Sequence, residues 1–418
     1  MGMMAALAAG VLSGCGVPAF NLAPGTIGEA GAASLGVPRI RPDLPGGKAP
    51  RQAMLFSYVA MDDPLTTFAE RFLGAIQQSA SDRVYNVAFA DFQGPDNSFM
   101  FDLAPGRPAA KSFLLPDRKE VSSNDPRIFA ATLDWAVRNY QGEFRALDLF
   151  AHGGGAIGFG TDENQLGKGK KFIMSVRDVG DALRAGLKGR RADLVNMLSC
   201  LMGNIEYAYE LHDVADVLIA SQDSIFATSG TTVDFTAELN RQLALPNPDA
   251  RRIGRHLGEF ADAKNPNSGY ATISVVDLTR MNDVARAVGR LSNELLAAMP
   301  RHKAEILAAY DGVPHLQYAD WLGFNRDLWT FCNLLNRKVE SKAVKEAALE
   351  AKAALKAALL YTRDREGAAA NGLSIAMPDR KGEMSKIWDS PVFQARLQCH
   401  FEKRTTWDKF LAAVRQAS

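Results

Sequence analysis

Short apolar runs alternating with helical stretches constrain this chain more than any other feature. Residues 53–60 read AMLFSYVA, 84–91 VYNVAFAD, 98–104 SFMFDLA, 146–151 ALDLFA, 193–199 DLVNMLS and 216–221 DVLIAS. Each has the length of a strand and little polar interruption, the pattern of strands covered on both faces. Between them lie segments with helical spacing. Pro64 opens PLTTFAERFLGAIQQS. Asp125 and Pro126 form a start signal for a helix over 125–140, and Ser175 with Asp178 resembles a capping box for one over 175–187. NIEYAYELHDV follows Cys200 and reads as another helix, its start placed at Gly203. The alternation predicts an α/β sandwich over residues 52 to about 230, with helices on both faces of a mostly parallel sheet. From about 235 helices dominate, including 343–364, and the strands 270–278 and 372–378 interrupt them. TTWDKFLAAVRQ closes the chain as a short helix packed through Trp407 and Phe410.

In sheets of this kind ligands gather at the carboxyl ends of strands. Two chemically useful residues fall there, His152 and Cys200. His152 opens HGGG, and glycines let a backbone approach a substrate closely. The Gly153 and Cys200 N–H groups are candidates for an oxyanion hole. A helix beginning just after Cys200 would favour the thiolate through its N-terminal dipole. His152 lies 48 residues before Cys200, and the intervening loop, helix and strand let the two strand ends lie side by side. Against this stand a buried core thiol and a glycine-rich turn with a structural histidine.

Composition removes other classes. The formal net charge is +1, which favours neither nucleic acid nor an anionic surface. No apolar run reaches the length of a transmembrane helix. The four cysteines and six histidines show no zinc spacing, so no metal and no cofactor is expected, with a carboxylate calcium site left open. Cys332 and Cys399 are free or paired with each other.

The N-terminus reads MGMMAALAAGVLSGCG, an apolar run ending in small residues. Leu12-Ser13-Gly14-Cys15 resembles a bacterial lipoprotein box, which makes residues 1–15 a signal segment and Cys15 a lipidation site. No Lys or Arg precedes the run, and a start further upstream would supply one. The other reading is a disordered or cytosolic N-terminus in which Cys15 is incidental. Residues 16–50 are rich in Gly, Pro and Ala and read as a tether. These expectations divide the chain into 1–15, 16–50, a catalytic domain over 51–235 and a helix-rich part over 236–418.

LDLFAHGGG, LSCLMGNIEYAYELHDVADVLIAS, ATISVVDL, GLSIAMP and the closing TTWDKFL together resemble the clostripain family of cysteine peptidases. Order and spacing agree over most of residues 52–415. The resemblance implies a caspase-like three-layer sandwich and an endopeptidase acting on proteins or peptides, and the N-terminal signal reading adds export and a lipid anchor at a bacterial membrane through Cys15. The resemblance also implies Cys200 as nucleophile, His152 as its proton-transfer partner, and Gly153 with Cys200 as oxyanion donors. The substrate pocket would involve Leu198, Ser199 and Asp223. In the family the residue two before the cysteine is usually Asp and is tied to cleavage after Arg or Lys. Leu198 stands there, so basic specificity is not expected to carry over; Asp223 is either a replacement carboxylate or an exposed loop acid. The residue before the histidine is commonly Asp or Asn and here is Ala151. Ala376 and Met377 stand where aromatic residues are usual, which implies repacking. A maturation cut between the His and Cys segments would fall near Lys168, Lys170 and Lys171. The alternative is a pseudopeptidase or surface binding protein on the same fold, for which Leu198 and Ala151 speak. An esterase reading of HGGG fails because the sequence offers no G-x-S-x-G nucleophile turn.

Overall fold

The computed structural model describes residues 47–63, 65–106, 110–113, 120–162, 173–226, 230–263, 270–316, 324–364 and 370–417. The strands are β1 (Lys48–Asp62), β2 (Val84–Phe92), β3 (Ser98–Asp102), β4 (Ala110–Phe113), β5 (Tyr140–Ala151), β6 (Thr161–Asp162), β7 (Ala192–Leu198), β8 (Ala215–Ala220), β9 (Thr272–Asp277), β10 (Asn325–Asp327), β11 (Leu359–Asp364) and β12 (Ser374–Ala376). The main helices are α1 (Thr66–Gln78), α2 (Pro126–Asn139), α3 (Val176–Leu187), α4 (Ile205–Leu211), α5 (Gly230–Leu243), α6 (Ala250–Ala263), α7 (Met281–Asp311), α8 (Leu328–Lys338) and α9 (Lys342–Ala358). Short helices α10 (Pro391–Ala395), α11 (His400–Arg404) and α12 (Trp407–Gln416) complete the set.

One large sheet runs in the order β11-β9-β8-β7-β5-β1-β2-β3-β4, with β6 pairing the end of β1. Its centre, β8-β7-β5-β1-β2, is parallel, and the strands on either side are antiparallel. β1 shows why the sheet has two covered faces. Met54, Phe56, Tyr58 and Ala60 join one apolar core, while Ala53, Leu55, Val59 and Met61 join the other. Side chains alternate across a strand, so a continuous apolar run feeds both cores. The first core is closed by α2, α3, α4 and the C-terminal helices, the second by α1, α5 and α6. The architecture is the expected three-layer sandwich with a mostly parallel sheet.

The start signals act as read. The Asp125 side chain accepts from the Arg127 N–H with Pro126 at the first position, and Ser175 with Asp178 makes a full capping box. Some boundaries differ. β1 starts at Lys48, inside the stretch read as tether, where Arg51 lies over the Tyr85 ring and pairing with β5 holds the backbone. The helix expected over 343–364 ends at Ala358, and Leu359–Asp364 becomes β11 against β9. Tyr361 there packs on Gly258 of α6, where no Cβ would fit, a tertiary contact that outweighs local preference. Because β9 and β11 extend the sheet, the division at 235/236 is one of composition, and the sheet runs across it. Cys332 and Cys399 are both free and buried. Among the described residues no helix is long and apolar enough to cross a membrane.

Candidate active site

Parallel pairing of β5 with β7 brings the site together. Leu149 faces Met197 and Phe150 faces Leu198, the last paired residues before His152 and Cys200, each two residues further on. The two segments touch where β5 ends. A Cβ built on Gly153 would lie 2.2 Å from the Cys200 carbonyl oxygen, so only glycine fits there. The glycine-rich turn then folds back on itself: the Gly160 N–H donates to the His152 carbonyl at 2.9 Å and the Gly154 N–H to the Gly158 carbonyl at 2.9 Å. This ladder leaves the Gly153 N–H out. Further along the turn the Ala156 N–H donates to Asn325 Oδ1 at 3.3 Å, and Phe159 is bonded both ways to Met174 ahead of α3.

Cys200 sits on a tight turn. Leu201 has φ of 66°, a left-handed backbone that bulky residues rarely adopt. Its side chain is nonetheless buried, and its N–H donates to the Asp223 carbonyl at 3.1 Å. The Gly203 N–H donates to the Ser221 carbonyl at 2.7 Å, and the Gly203 carbonyl accepts from the Ser374 N–H at 3.0 Å. The turn is thereby tied to the end of β8 and to β12. Sγ of Cys200 is half-buried; it accepts from the Ile225 N–H at 3.3 Å and lies 3.6 Å from the Ile225 carbonyl. The N–H would favour a thiolate and the carbonyl, as acceptor of the thiol proton, the neutral thiol, so Ile225 can hold the sulfur in either form. The helix dipole contributes less than the sequence suggested. α4 begins at Ile205, not Gly203, because Asn204 is its cap, accepting from the Tyr207 N–H at 2.9 Å. The helix is seven residues long and carries Glu206 in its first turn.

The other expected residues fall out as follows. Leu198 is buried in the second core with Phe150 and Ile225. Ser199 is buried, and its hydroxyl has no partner among the described residues. Asp223 is not an exposed loop acid: it is wholly buried, its carboxylate accepting from the Ser224 N–H at 2.7 Å and its carbonyl holding Leu201. Ala376 and Met377 are buried; Ala376 donates its N–H to Glu206 and accepts from the Trp407 indole at 2.9 Å. Lys168, Lys170 and Lys171 lie outside the described residues, as does Cys15.

Asp63 was not among the expected residues. It lies just beyond β1, with Oδ2 at 3.2 Å from His152 Nε2. The Thr161 hydroxyl donates to the same oxygen at 3.1 Å and the Leu65 N–H to Oδ1 at 2.7 Å. Burial pushes the Asp63 carboxyl up, but the His152 ring and these two donors outweigh it and hold the group below its ordinary range. Its signal in the sequence was an acid ending a buried strand, the placement that singled out His152 and Cys200.

Two buried acids flank the site. Asp148 of β5 pairs in register with Asn196 of β7, whose amide donates to it at 2.8 Å, and Thr236 donates at 3.2 Å. Burial nevertheless pushes Asp148 up to about 7. Glu206 is also pushed up to about 7, by burial and by nearby Glu402, against the Ala376 N–H and Arg396.

Residues 57–413 match the sequence model of the clostripain family. Clostripain of Hathewaya histolytica is 24% identical over 323 residues, 65% of this chain and 60% of its own; the chain thus spans three-fifths of the length of that curated relative. A secreted cysteine protease from Bacteroides thetaiotaomicron, solved with an irreversible peptide inhibitor, superposes with a TM-score of 0.57 at 15% identity, covering 83% of this chain and 99% of that one. An inactive zymogen protease from Parabacteroides distasonis gives 0.59 at 14% identity, covering 86% and 99%. At these identities the likeness is one of fold.

Proposed function

The chain belongs to the clostripain family, and from that premise we propose that it is a cysteine endopeptidase in which Cys200 and His152 do the chemistry. One observation carries the reading. The β5–β7 register, which ends two residues before His152 and Cys200, and the close approach of Gly153 to the Cys200 carbonyl support a histidine and a thiol working together at the carboxyl edge of the sheet. The Cys200 thiolate attacks the scissile carbonyl carbon, and the oxyanion that forms meets the N–H groups of Gly153 and Cys200. As the C–N bond breaks, His152 gives its proton to the leaving amine, which leaves a thioester on Sγ. Water then attacks the thioester while His152 takes its proton, and the carboxylic product departs with the thiolate restored. No step needs a cofactor.

Leu198 supports a pocket that does not prefer a basic side chain. It is buried among Phe150 and Ile225 and brings no carboxylate to pair with Arg or Lys. Asp223 offers no exposed carboxylate in its place. Export fits the secreted relative with the same fold. A lipid anchor at Cys15 and maturation near Lys168 extend the reading to residues outside those described.

The test is digestion of a proteome-derived peptide mixture by the full chain beside Cys200→Ala, with new termini read by mass spectrometry. Cuts that only the wild type makes, with apolar or mixed residues before the cut, are expected. Identical digests from both proteins would leave the binding-protein reading in its place.

A further inference from the structure

We infer that Asp63 is the positioning residue for His152, its carboxylate holding the imidazole through Nε2 so that Nδ1 is the nitrogen that exchanges a proton with the thiol. The inference rests on the reading of Cys200 and His152 as the working pair. Its support is geometric. Oδ2 of Asp63 stands 3.2 Å from Nε2, within reach of an N–H donor. The carboxylate is itself fixed, since the Leu65 N–H holds one oxygen and the Thr161 hydroxyl the other. Thr161 is brought there by β6, which pairs with the last residues of β1, Met61 with Thr161 and Asp62 with Asp162. The end of β1 and the turn that runs from His152 to β6, far apart in sequence, therefore meet at this carboxylate. The residue directly before the histidine is the buried Ala151, which has no group to orient a ring. The acid from the neighbouring strand fills that role.

The chemistry follows from charge. Asp63 is nearly inaccessible to solvent and stays ionised, because the ring and the two donors outweigh its burial. An anion at Nε2 selects the tautomer with the proton on Nε2 and leaves the Nδ1 lone pair available. When Nδ1 takes the thiol proton, the same anion stabilises the imidazolium. Asp63 touches no reacting atom, so removing it should slow turnover with little effect on substrate binding.

The experiment compares wild type, Asp63→Asn, Asp63→Ala and Thr161→Val as full chains. Three readouts are taken: kcat and KM on a peptide cut by the wild type, the rate of Cys200 alkylation by iodoacetamide, and the titration of His152 followed by NMR of labelled histidine. The Asp63 variants are expected to lose about 10- to 100-fold in kcat, the range for groups that orient a reacting ligand, with KM within about 3-fold. The His152 titration should move to lower pH in Asp63→Asn, because an anion that favoured imidazolium is gone. Thr161→Val removes one of the two donors that fix the carboxylate but not the acid, and should change all three in the same direction as Asp63→Asn but by clearly less. If Asp63→Asn leaves kcat, alkylation and titration unchanged, the inference is wrong. If Thr161→Val falls as far as Asp63→Asn, the role is only to hold the loop, which also overturns it. A wild type that cuts nothing beyond Cys200→Ala overturns the peptidase reading alone; alkylation and titration then still decide whether Asp63 governs His152.

Discussion

Gly153 and Cys200 meet more tightly than any other side chain would permit, and that contact is the most direct test of the site at the residue scale. A methyl group on residue 153 would press on the Cys200 carbonyl from 2.2 Å, and relief requires one of the two strand ends to move. Gly153→Ala is expected to cost about 1–3 kcal/mol of stability, as overpacking does. It should also lower kcat/KM about 100-fold, because a displacement of about 1 Å is enough to spoil alignment. A urea midpoint and a kcat/KM measured on the same preparation separate the two. His152, Cys200 and Gly153 were legible in the sequence because strand ends and glycines are local signals. Asp63 carried only the weak signal of an acid ending a strand, and the Ile225 N–H carried none, since which partner each meets depends on tertiary packing. Asp223 carried a carboxyl and a loop position, yet its burial came only from packing of the Cys200 turn on the end of β8.

At the scale of elements, the helix after the cysteine is where expectation and structure part. Its apolar spacing was plain, but its start depended on a cap. Asn204 is wholly buried, caps α4 and bridges to Ser374 of β12, so the Cys200 turn, α4 and β12 form one tied unit. Asn204→Ala strips the acceptor from the Tyr207 N–H and should cost about 1–2 kcal/mol, whereas Asn204→Ser restores a cap and should recover most of it. Urea denaturation of the three proteins checks this. kcat/KM should fall in Asn204→Ala and recover in Asn204→Ser. The same logic explains β11. Local composition favours helix through residue 364, but Leu359 and Tyr361 gain a strand partner in β9 and a packing surface at Gly258, which only the assembled sheet offers.

Across the whole molecule, buried acids set how stability follows pH. Asp148 and Glu206 are pushed up to about 7. Between the ordinary carboxylate range and about 7 the folded chain keeps these protons and the unfolded chain has lost them, so their contribution shrinks as pH rises. Asp63, Asp213, Glu238 and Asp277 are held low, and theirs is lost instead as pH falls through the depressed values. The groups facing Asp148 are the Asn196 amide, the Thr236 hydroxyl and the Tyr270 phenol. Asp148→Asn keeps the shape and removes the charge. It should raise the urea midpoint above wild type at pH 8 and match it near pH 5; a midpoint lowered equally at both values would count against a burdened carboxylate.

The amino-acid order settled which segments form the central strands, that both sheet faces are covered, and that a histidine and a cysteine follow strand ends. Those properties rest on short-range patterning, where apolar period and cap residues act within one turn or one strand. The folded arrangement decided which carboxylate meets the histidine, which N–H meets the sulfur, and that the later strands extend the same sheet. These are contacts between segments joined only through register and packing. Their energies depend on burial and distance, and neither exists until the sheet has closed.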